Sequence, residues 1–178
     1  MLHGTLFFIL CECLVSLINN FSVLELSIFV LQLAMFFRII QTHLLAAIKY
    51  PRMWKIKPFD YILVFLTAFF EYILLSYKNF DFDNEIFISI LLILFSVYGI
   101  IGYALTYLSI KKGLTNNKEL RKERKIHIIN ITVLIIILTF YLINFHKEIN
   151  AFVHINYITS ILLIVNIFLS MKLSSHKF

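Results

Sequence analysis

Apolar residues fall into six long runs along the chain, at positions 2–18, 21–40, 60–77, 86–110, 126–145 and 156–173. A helix needs about 20 mostly apolar residues to cross the hydrocarbon core of a bilayer. Runs of this length predict membrane-spanning helices rather than strands or the core of a soluble domain. The pattern therefore predicts an all-α polytopic helical membrane bundle of about six transmembrane helices, a single integral membrane domain over residues 1–178.

The polar stretches between the runs differ in charge. Residues 41–59 and 111–125 are basic, and the second, KKGLTNNKELRKERK, holds seven of the sixteen Lys and Arg residues. The link KNFDFDNE is acidic and HKEINAFVHI is short. Basic segments beside spans stay on the cytoplasmic side. With 41–59 and 111–125 inside, only Lys78 and Lys147 of the sixteen basic residues fall outside. Three hairpins follow, each turning outside, with N and C termini cytoplasmic.

Local signals refine the boundaries. The first run carries Glu12 and lacks a basic leader before it, so it is read as a span that stays rather than a signal peptide. Cys11 and Cys13 point about 200° apart on a helix and are read as small buried residues. No breaker separates Ile40 from Pro51, so the second helix is expected to run on towards Tyr50, which leaves Arg38 either near the inner interface, snorkelling to water, or deep in the bilayer if the register slips, the interface being preferred. Pro51, Pro58 and Trp54 mark the first inner loop. The sequons at Asn20 and Asn130 abut or enter spans and are read as accidental.

Composition agrees with the pattern. Hydrophobic residues make up 61% of 178, charged residues 15%, and mean hydropathy is +0.89. Soluble domains are about half apolar and a quarter charged. A formal charge of +6 would invite a nucleic-acid partner, but topology alone places the excess in the inner segments, and nucleic acid is not expected.

Three groups of residues are candidates for chemistry. Glu12, Glu25 and Glu71 lie within spans, where a charge costs at least ~2.5 kcal/mol. With Tyr72 they form a candidate proton or cation path; the plainer reading is neutral carboxyls bonding between helices. Gly99, Gly102, Thr106 and Ser109 recur at spacings of three and four and form a strip for close helix approach, read first as packing within the chain and second as a homo-oligomer face. Arg121, Lys122, Arg124 and Lys125 are candidate contacts for lipid headgroups or a soluble or membrane protein partner. Arg121 and His127 share an Arg-x5-His spacing with ribonucleases of the nucleotide-binding helical-bundle type, a very unspecific signal. Metal-ligand spacings, a Gly-rich phosphate loop and a nucleophile elbow are missing from the sequence, so catalytic residues, metals and cofactors are not expected. The expected function is that of a non-enzymatic accessory or regulatory subunit of a bacterial inner membrane, with a small proton- or cation-conducting channel or carrier as the alternative.

Overall fold

The helices begin and end where local chemistry dictates. In the computed structural model, residues 2–19, 21–49, 66, 69–70, 72–76, 84–113, 116–145 and 149–174 are described. Helix α1 spans Leu2–Asn19 and α2 spans Val23–Lys49. Helix α3 is described at residues 66, 69–70 and 72–75, with Ser76 in a turn after it. Helices α4, α5 and α6 span Asn84–Gly113, Asn117–Ile143 and Ile149–Ser174. Among the described residues every regular element is a helix and no strand occurs.

Ser22 caps α2: its Oγ accepts the Glu25 N–H at 3.1 Å. Ser-x-x-Glu is the capping-box pattern, and the acid in the first turn also meets the positive end of the helix dipole. Asn116 caps α5 in extended conformation, with its side chain accepting the Lys118 N–H at 2.9 Å. Two sequence expectations change here. Residues 117–125, read as loop, are helical, because Asn116 starts the helix and Lys, Glu, Arg and Leu all favour it. Residues 149–155, read as linker, belong to α6. Removing the cap in Asn116→Ala is expected to cost about 1 kcal/mol and to speed amide exchange at Lys118 selectively.

Four stretches are long and apolar enough to cross a membrane: Val23–Thr42, Glu85–Leu108, Asn117–Ile143 and Ile149–Leu173. The apolar part of α1, Phe7–Asn19, is shorter. The faces of these helices are sorted as a bilayer requires. Along α5 the buried stripe is Glu123, His127, Asn130, Leu134, Ile137 and Tyr141. Its exposed positions include Ile128, Ile135, Ile136, Leu142 and Ile143. Helix α6 buries Asn156, Thr159, Ser160, Asn166 and Ser170 while exposing Ile161, Ile164, Val165, Phe168 and Leu169. Polar groups inside and apolar groups outside invert the soluble pattern and fit a lipid surround. The chain is an integral membrane protein in class.

Packing runs α1 on α2, α2 on α6, α6 on α5 and α5 on α4. Contacts linking 27 with 156 and 41 with 167 set α2 and α6 parallel. Ile28, Leu31, Leu92, Ile137 and Leu163 form the centre of the main core. Leu10, Phe36 and Leu75 make a second cluster where α1, α2 and α3 meet. Carbonyls near the end of α3 receive Gln32 Nε2 on Leu74 at 2.8 Å and Cys13 Sγ on Leu75 at 3.4 Å. Cys11 is exposed and Cys13 half-buried, so the reading of both as buried applies to neither fully.

Candidate functional site

One polar cluster touches all four long apolar helices. Arg38 on α2 is only 7% exposed. Its Nη2 donates to the Tyr103 hydroxyl of α4 at 2.7 Å and to Asn130 Oδ1 of α5 at 2.9 Å. Its Nη1 donates to Gln41 Oε1. Asn130 Oδ1 also accepts from Asn166 Nδ2 and Ser170 Oγ of α6, each at 3.1 Å. Gln41 Nε2 reaches the Ile167 carbonyl at 3.3 Å, tying α2 to α6 a second time. The arginine does not snorkel. It lies four residues inside the Thr42 end of its apolar span, about 6 Å along the helix, but neutral dipoles from α4, α5 and its own helix hold it in the bundle.

Beside the cluster is a cavity of about 150 Å³. Helix directions order its wall. Arg38, Tyr103, Thr106, Asn130 and Asn166 lie towards the end where α4 finishes and α5 starts, whereas Phe95, Leu134 and Leu163 lie deeper in the bundle. The polar end is the basic end, since Lys111, Lys118, Arg121, Lys122, Arg124 and Lys125 all sit there. His127 is buried nearby, its ring between Tyr103 and Tyr107 at centroid distances of 5.9 and 5.7 Å. Its Nδ1 lies 2.9 Å from the Glu123 carbonyl. A carbonyl only accepts, so Nδ1 carries the proton.

A second cluster fastens the opposite end. Tyr141 Oη donates to Asn156 Oδ1 at 2.7 Å, and Asn156 Nδ2 donates to Ser27 Oγ at 3.1 Å. This joins α5, α6 and α2 with fully buried groups.

The residues singled out in sequence are distributed unevenly. Gly99, Gly102 and Thr106 line the cavity, and a Cβ on Gly99 would come within 2.7 Å of Leu134 Cδ1. The strip therefore receives α5 of the same chain. Ser109 continues the α4 backbone, with its side chain outside the described part. Gly99→Ala is expected to lower stability by only about 1 kcal/mol in an unfolding titration, since the Leu134 tip has the cavity to turn into. Glu12 and Tyr72 are exposed, Glu25 is half-buried in the first turn of α2, and Glu71 lies outside the described residues. None of the described three lines the cavity. Arg121, Arg124 and Lys125 are exposed and Lys122 half-buried on the first turns of α5. Arg121 and His127 are six residues apart, about 240° around a helix; the first is exposed and the second buried, so they do not form a shared site.

Sequence reading passed over Tyr103, Asn130, Asn166, Ser170 and Gln41. The signal was present: Asn156, Ser160, Asn166 and Ser170 recur along an otherwise apolar run at helical spacing.

The fold and site define a helical membrane bundle clamped around a buried arginine. Set against known proteins, the chain matches no family model, no curated protein and no solved structure.

Proposed function

We propose that the chain is a non-enzymatic accessory or regulatory protein of a bacterial inner membrane, with six spans and both termini cytoplasmic. It acts by binding, through its helix faces and the basic first turns of α5, rather than by conduction. The observation that supports this most is the cross-bracing of the helices by interior polar groups. Arg38, Gln41, Tyr103, Asn130, Asn166 and Ser170 bond to one another across four helices, and a cross-braced cluster favours a fixed scaffold. Basic residues at the same end offer a surface for anionic lipid or an acidic protein, each worth about 1 kcal/mol near a charged leaflet.

Flux measurements decide between this reading and a channel or carrier using Glu12, Glu25, Glu71 and Tyr72. Liposomes containing only this protein are expected to show no proton or monovalent-cation flux above protein-free liposomes. Flux that disappears in a Glu12→Gln, Glu71→Gln double variant would replace the scaffold with a conducting protein.

A further inference from the structure

The Arg38 cluster has more donors than acceptors. Asn130 Oδ1 receives three donors, at 2.9, 3.1 and 3.1 Å, although a carbonyl oxygen offers two lone pairs. Three N–H bonds of Arg38 are committed, all to neutral oxygens. A guanidinium carries five, so two remain uncommitted among the described residues. Tyr103 accepts from Arg38, and among the described residues its own O–H proton has no acceptor. No carboxylate among the described residues pairs with Arg38. The acid on the same stripe of α5, Glu123, stands seven residues from Asn130, about 10 Å along the helix, and is engaged in contacts of its own. A buried charge without a counter-charge is costly inside a bilayer. An anion would relieve both the charge and the surplus of donors.

The cavity beside these groups sets the shape of that anion. At about 150 Å³ it matches a space that admits a benzene-sized body. Its wall grades from Arg38, Tyr103 and Asn130 at the basic end to Phe95, Leu134 and Leu163 deeper in the bundle. The exposed bases at the head of α5 raise the local concentration of anions at that end. We propose that the cavity binds an oxyanion borne on an apolar body, the carboxylate or phosphate head of an anionic amphiphile, with Arg38 as counter-charge and the Tyr103 hydroxyl as a second donor. The apolar body lies against Phe95, Leu134 and Leu163. Binding at this site is independent of whether a protein partner meets the basic turns.

The test is a set of thermal-unfolding titrations of the full chain in a neutral detergent. The probes are octanoate, octanol, dioctanoyl phosphatidic acid, dioctanoyl phosphatidylcholine and inorganic phosphate. Octanoate or dioctanoyl phosphatidic acid is expected to raise the midpoint saturably, and whichever acts at lower concentration identifies a free fatty acid or a lipid headgroup as the source. Arg38→Gln is expected to weaken that response at least tenfold, and Tyr103→Phe about threefold. Leu163→Phe narrows the apolar arm without touching a polar group and is expected to weaken it about tenfold, which carries the test should Arg38→Gln fail to fold. Three results would overturn the proposal: no shift with either anionic amphiphile, equal shifts with octanol or the phosphatidylcholine, or a response unchanged in the variants that fold. Inorganic phosphate acting as strongly as the amphiphiles would overturn the role of the apolar body.

Discussion

Asn130→Ala is expected to lower the stability of the folded bundle by about 3 kcal/mol, the upper end of the cost of a lost hydrogen bond to a charged group. Asn130 Oδ1 is the acceptor shared by Arg38, Asn166 and Ser170. Truncation leaves a guanidinium that is 93% buried with one acceptor fewer, and strands an amide and a hydroxyl that are each at least 98% buried. Neutral hydrogen bonds between membrane helices average only about 0.6 kcal/mol, so most of the loss comes from the charge. Arg38→Met is expected to cost less than Asn130→Ala, because it removes the charge along with its bonds. Unfolding in mixed micelles with rising denaturing detergent ranks the two. Equal losses would show that Asn130 acts by packing alone.

Asn156→Ala is expected to cost about 2 kcal/mol, the second largest effect. Its carboxamide joins the Tyr141 hydroxyl to Ser27, and all three residues are at most 1% exposed. The methyl that replaces it leaves both hydroxyl groups with a lost contact and opens a small void, two costs that add. Tyr141→Phe removes one of those bonds without a void and is expected to cost about 1 kcal/mol by the same titration. A larger loss in Tyr141→Phe than in Asn156→Ala would reverse the assignment of Asn156 as the link.

Much of the fold was legible in the chain because a bilayer demands long apolar runs. Val23–Thr42, Glu85–Leu108 and the apolar parts of α5 and α6 follow directly from run length. Helix ends were less legible. The basic residues 117–125 read as loop because charge marks the edge of a membrane, yet charge does not stop a helix; Asn116 and the run of helix formers after it carried α5 beyond the apolar region. Glu25 drew notice as an acid within a span, and its place in the first turn, with its N–H capped by Ser22, sets its charge at the positive end of the α2 dipole.

The site was harder to read. Arg38 stood out in sequence, but its register along α2 does not say which side it faces, and snorkelling was the economical expectation for a base near an interface. Its partners on other helices come from positions 65 and 92 residues away, separations at which no spacing rule operates. Asn130 looked like a chance sequon, Tyr103 like one of nine tyrosines, and only the packing of α2 on α6, α6 on α5 and α5 on α4 brings them together. The glycine strip was legible as a place of close approach, whereas the identity of what approaches it, Leu134 of α5, was not.

A double-mutant cycle between Arg38 and Asn130 tests the buried clamp most directly, using Arg38→Met, Asn130→Ala and the two together in the same unfolding titration. The expected coupling is about 2 kcal/mol, the range of a hydrogen bond to a charged group, with the double variant more stable than the sum of the single losses implies. Additive losses, with coupling within about 0.3 kcal/mol of zero, would contradict it and return Arg38 to the interface.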